Sequence, residues 1–538
     1  MPELRPSAVS LAARLLAALL LGAALLAGFP AAAQQAPEQA TSQQPAAQQQ
    51  TPQQQTGAGI LALLPEDSVT QHELAVGGER LAYTATAGTL ALRDQRGERL
   101  AEVYYTAYTL EVSGDGAAAA SRPVTFVFNG GPGAASTYLH LGLVGPRVVE
   151  YGEPPAAATA ALQDNPDSWL AFTDLVLIDP VGTGWSRAAD PDKAERFWGV
   201  GPDAEALAKV IALYVAANGR TASPKVLLGE SYGGFRAAKV ARALQQDQGL
   251  VVSGIVMVSP FLDGGLHSGA TRSALSAALL LPAIAATELD RQGRFSAAAL
   301  AEAERFAMTD YLVTLAGPAP RGADADTFYG RVAALSGLPA EVVARTRGFV
   351  ARAYLGHRRG EAPRIASPYD GTFTLPDPFP ESDDGHADDP ILDGYLQSLG
   401  GLFVGYARQQ LGYETEITYE LLNRRVSGKW NWNAGGGGGG RRSVSAAGDL
   451  RQLLALNPGF RLLIAHGRSD LVTPYGVSRY VLDHLPPGTR AGTGTGASGE
   501  AERARLALYK GGHMFYFDPA SRAAFTEEAR GFYEAAAP

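Results

Sequence analysis

A serine that follows a short apolar run carries the strongest chemical signal in the sequence. Residues 229–233 (GESYG), with Ser231 at their centre, follow the apolar run 226–228 and precede a helix-like stretch. A serine on a sharp strand-to-helix turn projects its hydroxyl, and larger side chains two positions before and after it would collide with neighbouring backbone. Such a pattern also occurs by chance, but the preceding strand and Gly234 strengthen the interpretation of Ser231 as a nucleophile.

Asp470 and His513 are the candidate partners of this serine. A serine hydroxyl is a weak nucleophile and needs a base that a third group orients. Where the serine lies on such a turn, the acid and then the histidine follow it in the chain. Asp470 follows the apolar run 462–465, and His513 follows the run 506–509 and two glycines. We therefore expect both at one face of a sheet, although His466 also lies near Asp470 and is the alternative base.

Residues 129–133 (NGGPG) are the candidate loop for stabilising an oxyanion, because they follow the apolar run 124–128. Backbone N–H groups aimed at the developing negative charge are often the largest catalytic contribution. One donor is expected to be the N–H of Tyr232, and the other should come from a glycine-rich loop after an early strand. The ordinary alternative for such a segment is a simple turn.

The elements that must position these residues alternate between strands and helices. Residues 79–87 and 100–111 flank a turn-prone stretch at 93–97, which predicts an antiparallel start. Helix-like stretches at 204–217 and 235–245 then separate short apolar runs, which lie at 124–128, 175–178, 225–228, 254–258, 462–465 and 506–509. This order predicts an α/β fold with a mostly parallel sheet covered on both faces. Between about 264 and 442 helices and loops predominate, and we expect an inserted cap there.

Composition excludes several classes of protein. The 538 residues include 45 basic and 54 acidic side chains and no cysteine. A net charge of -9 argues against a nucleic-acid binder that neutralises phosphates. The lack of cysteine excludes disulfide scaffolds, thiolate metal sites and a cysteine nucleophile. Six glycines at 435–440 do not form a phosphate-binding loop, because Arg441 and Arg442 stand where lysine and serine or threonine are needed.

The first 57 residues are predicted to lie outside the folded body. Arg5 and Arg14 precede an apolar run at 15–29, and three alanines follow at 31–33, an order that is typical of an export signal spanning 1–33. The run is short for a membrane span of about 20 residues, and an uncleaved anchor is the alternative. Residues 34–57 hold 11 glutamines and 3 prolines and predict a disordered linker. We expect a periplasmic or extracellular protein with one folded domain at 58–538 and no stable membrane insertion after cleavage.

Six motifs together resemble the serine carboxypeptidase family of α/β-hydrolases. In chain order they are residues 129–133, 165–169 (NPDSW), 179–186 (DPVGTGWS) and 229–234, Asp470, and residues 512–514 (GHM). The resemblance implies a catalytic triad of Ser231, Asp470 and His513, which would release C-terminal residues from peptides through an acyl-enzyme without a cofactor or metal. Backbone N–H groups of Gly131 and Tyr232 would then form the oxyanion hole.

The resemblance also assigns Asn129 and Glu230 to the free C-terminal carboxylate of a peptide substrate. Two carboxyl groups can share a hydrogen bond only when one of them is protonated, so proximity raises a pKa. Glu230 would bind substrate best when protonated, whereas His513 must be neutral to act as a base. The pairing predicts an acidic optimum for peptide hydrolysis.

Four positions depart from the family pattern. Val127 and Leu143 replace a tryptophan and a glutamate that help to hold the carboxylate, Ala134 replaces a cysteine, and Arg468 replaces an acid. Arg468 is a candidate carboxylate partner by charge. These departures leave an esterase or acyltransferase on the same scaffold as the first alternative. A non-catalytic binding protein is the second, although the intact triad argues against it.

Acidic residues between 381 and 389, together with His386, are a candidate site for a divalent cation. Their spacing matches no calcium loop, and a solvated loop in the cap is the ordinary interpretation.

Overall fold

The computed structural model describes residues 59–111, 121–357, 363–381, 388–433, 438–487, 489 and 503–536. All of them belong to the second of two units into which the chain divides, Thr56–Pro538. The predicted export signal and linker lie outside the described residues, as do residues 382–387 of the acidic segment.

The strands are numbered β1 to β14 along the chain. They are β1 Ser68–Val76, β2 Glu79–Arg93, β3 Arg99–Leu110, β4 Val124–Phe128, β5 Arg147–Glu150, β6 Ala161–Asp164, β7 Asp174–Ile178, β8 Arg187–Ala188, β9 Lys225–Glu230, β10 Gly254–Val258, β11 Arg364–Ala366, β12 Thr374–Pro376, β13 Arg461–Gly467 and β14 Ala504–Tyr509. Each apolar run predicted as a strand is confirmed, with ends that move by no more than two residues.

One large mixed sheet organises the molecule. Its strands follow the order β1-β2-β3-β7-β4-β9-β10-β13-β14, and β8 pairs with β3 at the side. The strands β1, β2 and β3 are antiparallel, and β3 pairs antiparallel with β7. From β7 to β14 every pairing is parallel. The predicted fold class, a mostly parallel sheet with an antiparallel start, is therefore confirmed, and the carboxyl ends of β4, β9, β13 and β14 meet at one edge.

The α-helices are numbered α1 to α15 along the chain. They are α1 Thr137–Leu139, α2 Val200–Ala217, α3 Tyr232–Asp247, α4 Gly264–His267, α5 Ala274–Arg291, α6 Ala297–Phe306, α7 Leu312–Ala316, α8 Ala323–Ser336, α9 Ala340–Arg345, α10 Ala351–Gly356, α11 Ser398–Gln409, α12 Arg424–Gly428, α13 Ala447–Leu456, α14 Tyr475–Asp483 and α15 Pro519–Ala536. Within the described ranges, no helix combines the length and the apolar character that a bilayer span requires.

The sheet separates two hydrophobic layers. Phe126 and Phe128 of β4 face a layer that includes α2 and α3, whereas Val127 faces the layer that holds α11 and α15. Successive side chains of a strand point to opposite faces, so a strand buried on both sides is apolar throughout. This explains why the central strands are visible as continuous apolar runs in the sequence.

A third hydrophobic cluster lies within the helices that follow β10. Leu281 and Ile284 of α5 pack there with Val332 of α8, and all three are buried. The segment between β10 and β13 thus has its own core, beside the sheet layers. The assignment of residues 264–442 to a cap stays a prediction.

Candidate active site

Ser231 lies at the junction of β9 and α3 in a conformation that side chains rarely adopt. Its φ is 59° and its ψ is -124°, a region that costs on the order of 1–3 kcal/mol. The backbone is held there from both sides: Ser231 N–H donates to the carbonyl of Val258 over 2.9 Å, and Phe261 N–H donates to the carbonyl of Ser231 over 3.0 Å. The half-buried serine is thus presented on a strained turn that the neighbouring strand end fixes.

Glycines make this turn possible. A Cβ on Gly229 would overlap the carbonyl of Gly233, and a Cβ on Gly233 would overlap the carbonyl of Phe128. Gly130 approaches the turn as closely, since a Cβ there would lie 2.5 Å from the N atom of Tyr232. The collisions expected from the sequence are therefore real, and the glycine loop packs its backbone directly against Tyr232 N–H.

Asp470 and His513 are brought together in loops that follow β13 and β14. The Nδ1 atom of His513 lies 2.8 Å from Asp470 Oδ2. Backbone N–H groups of Val472 and Thr473 donate to Asp470 Oδ1 over 2.8 and 3.0 Å. The hydroxyl of Thr473 lies 2.6 Å from Asp470 Oδ2 and 3.0 Å from His513 Nδ1. Four groups thus fix the carboxylate and, through it, the imidazole ring.

Electrostatics favour an ionised Asp470 beside a basic His513. Burial acts to raise the pKa of Asp470, but the charge and hydrogen bond of His513 lower it below its usual value. Burial acts to lower the pKa of His513, but the Asp470 carboxylate, with a smaller contribution from Glu230, raises it above its usual value. A carboxylate that stays ionised can only accept, so the Nδ1–H of His513 donates and Nε2 is available as a base.

Asn129 and Glu230 form a buried pair beside the serine. Asn129 Nδ2 donates to Glu230 Oε2, and the hydroxyl of Tyr516 donates to the same oxygen over 2.8 Å. The side-chain oxygen of Asn129 accepts the N–H of Leu139 over 3.0 Å, which fixes the orientation of the amide. Burial raises the pKa of Glu230 to about 7, while His513, Tyr516 and Asn129 oppose the rise. Glu230 is therefore a carboxyl group that gains and loses its proton near neutral pH.

A buried ion pair holds the backbone of Asn129 in place. Arg236 of α3 donates to the carbonyl of Asn129, and its Nε lies 2.6 Å from Asp203 Oδ2. Both charged side chains are buried, so removal of either one would leave an uncompensated charge. The start of the glycine loop is thus fixed by the helix that follows the serine.

These groups surround one cavity of about 450 Å³. Six of the seven predicted site residues line it, namely Asn129, Gly131, Glu230, Ser231, Tyr232 and His513, and Asp470 lies behind His513. Among the hydrogen bonds of the described residues, none joins Ser231 Oγ to His513. Such contacts are often long without substrate and shorten in the complex. No group of three or more described His, Asp and Glu side chains is arranged to hold a metal ion.

His466, the alternative base, and Arg468, the candidate carboxylate partner, do not line the cavity. His466 Nε2 lies 2.8 Å from Ser478 Oγ, and burial lowers the pKa of His466 to about 3, so it is not placed as the partner of Asp470. Arg468 does not reach the carboxylate pair, because it makes two 2.6 Å bonds to Asp290 and lies over the ring of Phe295. The suggestion that Arg468 holds a substrate carboxylate is therefore wrong.

Three supporting residues were not predicted from the sequence. Thr473 could have been found, because an Asp followed three residues later by Thr is a common local hydrogen-bonded turn. Tyr516 and Arg236 carry no such signal, since their contacts join positions that only the folded sheet brings together.

The chain resembles a known family over part of its length. A family model described as serine carboxypeptidase matches residues 83–267. The match includes the glycine loop and Ser231, whereas Asp470 and His513 lie beyond it. A search of curated proteins found no match.

A solved structure from yeast shares the fold. Kex1Δp, a prohormone-processing carboxypeptidase from Saccharomyces cerevisiae, is 17% identical over 84% of this chain and 90% of its own, with a TM-score of 0.52. A proline iminopeptidase from Mycobacterium smegmatis (15% identity, 84% and 98% coverage, TM-score 0.36) and the peroxisomal α/β-hydrolase Lpx1 from S. cerevisiae (11%, 88% and 90%, 0.36) also match. The chain is thus a serine hydrolase of the α/β-hydrolase fold that resembles the serine carboxypeptidase family, matching its model over residues 83–267.

Proposed function

We propose that the protein is a serine-type carboxypeptidase that releases C-terminal residues from peptides through an acyl-enzyme on Ser231. One observation carries the proposal: a buried carboxyl group, Glu230, lies next to the nucleophile in the same cavity and has a pKa of about 7. A protonated carboxyl group can donate to the terminal carboxylate of a peptide, while an ionised one would repel it. Asn129, whose Nδ2 already donates to Glu230, supplies a second polar group at this point.

The proposed acylation begins with attack of Ser231 Oγ on the carbonyl carbon of the last peptide bond. His513 Nε2 takes the hydroxyl proton as the Oγ–C bond forms, and Asp470 stabilises the imidazolium that results. The backbone N–H groups of Gly131 and Tyr232 donate hydrogen bonds to the carbonyl oxygen as it becomes negatively charged. The C–N bond then breaks, and the leaving amine takes its proton from His513.

Deacylation repeats these roles with water. His513 takes a proton from the water as its oxygen attacks the acyl carbon, and the bond to Ser231 Oγ breaks. The proton then passes from His513 to Ser231 Oγ. The products are a free amino acid and a peptide that is one residue shorter.

An unpaired hydroxyl strengthens the carboxylate-binding proposal. Tyr138 lines the cavity, is 3% exposed, and its hydroxyl has no hydrogen-bond partner among the described residues. A buried hydroxyl without a partner costs free energy, which a ligand oxygen would recover. Val127 and Leu143 are fully buried and do not line the cavity, so Tyr138 is the donor that we assign in place of the missing tryptophan and glutamate.

The proposal is tested with one blocked dipeptide prepared as the free acid and as its C-terminal amide. The free acid should be cleaved with a kcat/KM at least about 10-fold higher near pH 6, because charge-assisted hydrogen bonds to its carboxylate are lost in the amide. Release of the last residue is measured by chromatography. Equal rates on the two compounds would exclude carboxypeptidase specificity.

Replacement of Glu230 by glutamine should change the pH profile. In the wild type, kcat/KM for the free acid should fall about 10-fold per pH unit above roughly pH 7, as Glu230 loses its proton. Glutamine donates without titrating, so E230Q should lose this alkaline fall. The acid limb should stay in place, because Glu230 is mostly protonated below pH 7 and glutamine is uncharged as well. Initial rates from about pH 5 to pH 9 check both limbs.

A substrate without a terminal carboxylate is the control for this profile. The amide, or an ester, should show no alkaline fall with the wild type, because its binding does not depend on the Glu230 proton. A free-acid kcat/KM that only rises across this range in the wild type would contradict the role of Glu230.

An esterase or acyltransferase is the second candidate function. It is favoured by the burial of Val127 and Leu143 away from the cavity, which leaves fewer groups for a terminal carboxylate. The comparison of free acid, amide and ester decides between the two functions. Export from the cell stays a prediction that rests on the sequence of residues 1–33.

A further inference from the structure

An arginine that has no acidic partner among the described residues lies in the wall of the active-site cavity. The Arg441 guanidinium carbon lies 4.9 Å from the ring centre of Phe261 and 5.5 Å from that of Trp432, and all three side chains line the cavity. Stacking on aromatic faces holds a guanidinium in one plane and leaves its N–H edge available. Among the described residues, no hydrogen bond or ion pair satisfies that edge.

The acidic groups of the cavity are engaged elsewhere. Asp393 accepts a hydrogen bond from Arg424, and Asp389 Oδ1 accepts the N–H groups of Ile391 and Leu392 over 2.9 and 2.7 Å. Arg441 as a whole residue is exposed, but its neighbours partly desolvate the guanidinium and so lower its pKa. Tyr369 acts in the opposite direction and raises this pKa. A partly desolvated cation without a counter-ion favours an anionic ligand, since charge-assisted hydrogen bonds are about twice as strong as neutral ones.

The position of Arg441 relative to Ser231 identifies the part of a substrate that it meets. Trp432 contacts Tyr232 edge-on, with ring centres 5.5 Å apart, and so lies on the side of the residue that follows the serine. Glu230, with Asn129, lies on the side that precedes it. Arg441 and Trp432 make no described hydrogen bond or ring contact with that pair. Arg441 and Trp432 thus group with Tyr232, whereas Asn129 groups with Glu230, and the two groups are chemically different parts of the cavity lining.

We propose that Arg441, on the wall formed by Phe261 and Trp432, binds a carboxylate side chain on the penultimate residue of the substrate. The inference rests on the proposed carboxypeptidase function, in which Asn129 and Glu230 take the terminal carboxylate. The last residue then lies at their end of the cavity, and the residue that acylates Ser231 lies at the other. Substrates that end in Glu-Xaa or Asp-Xaa are the preferred class.

Three blocked dipeptides with a common C-terminal phenylalanine and penultimate glutamate, glutamine or lysine test the subsite. The measurement is kcat/KM near pH 6, where a glutamate side chain of pKa about 4.3 is ionised. The wild type should favour glutamate over glutamine by about 10-fold or more, the effect of one hydrogen bond to a charged group. In R441Q the ratio should fall to about 1 while the rate on the glutamine peptide stays within a few-fold. In R441E the preference should move to lysine.

Arg442 provides a matched control, because it carries the same charge at the next position, is exposed and does not line the cavity. R442Q should keep the wild-type preference for glutamate. If R442Q lost this preference, a general charge effect would explain it and the proposal would be overturned. An unchanged glutamate-to-glutamine ratio in R441Q would overturn it as well. An equal loss on all three peptides would also overturn it, since Arg441 would then bind the terminal carboxylate. Cleavage without preference in the wild type refutes the subsite alone, whereas no cleavage of any peptide refutes the proposed function with it.

Discussion

Replacing Ser231 with alanine should lower kcat for peptide hydrolysis by about 10⁵- to 10⁶-fold, the size of effect seen when a nucleophile is removed from an intact triad. The oxyanion donors and the binding groups would remain, which leaves a small residual rate over water. Alanine keeps the Cβ on the strained turn and removes only the hydroxyl, so the fold should be retained. Labelling of the protein by a serine-directed phosphonate should be lost in S231A.

Ser478 offers a control for this variant. It is buried, and its hydroxyl contacts His466 rather than the cavity. S478A should keep kcat within a few-fold of the wild type and should still be labelled by the phosphonate. Activity of a folded S231A within 10-fold of the wild type would contradict the assignment of the nucleophile. Absence of labelling in the wild type would instead favour a binding protein that retains the fold.

Replacing Asp470 with asparagine should lower kcat by about 10⁴-fold near neutral pH. The carboxylate accepts the Nδ1–H of His513 and favours the tautomer with Nε2 free. An asparagine amide can donate to Nδ1 instead, and the proton would then move to Nε2. The pKa of His513 should also fall, because the Asp470 charge contributes to raising it. A titration of the histidine ring by NMR checks this shift independently of activity.

Asp449 is the matched control for the aspartate variant. It pairs with Lys239 over 2.6 Å and lies outside the cavity. D449N should have near-normal kcat and a normal His513 titration. If D470N kept kcat within 10-fold and left the titration unchanged, the orienting role of Asp470 would be excluded.

The strands and the serine turn were predictable because local physics decides both. Strands buried on two faces must be apolar throughout, so β4 and β10 were located to the residue. At the turn, Gly229 and Gly233 are required because any Cβ would meet backbone, which no compensating side chain can relieve. The order of serine, aspartate and histidine follows from the strand order of the sheet.

The support of the site was less predictable because it depends on contacts across the fold. Tyr516 reaches Glu230 only because a short 3-10 turn at Phe515–Phe517 follows the histidine loop. Arg236 is one charged residue among several in α3, and nothing in its spacing indicates that it holds Asn129. The prediction that Arg468 binds a substrate carboxylate rested on its charge alone and was wrong, because its guanidinium pairs with Asp290 of α5.

The order in which the sheet is assembled along the chain also limits when activity can arise. A growing chain that has not reached β13 contains Ser231, its strained turn and the glycine loop, but it lacks Asp470 and His513, the proposed acid and base. β13 must pair with β10, and β14 with β13, before the two final loops meet the serine. Under the proposed mechanism, the hydroxyl of a partly synthesised chain therefore has ordinary reactivity, and hydrolase activity arises only after the last strands have docked.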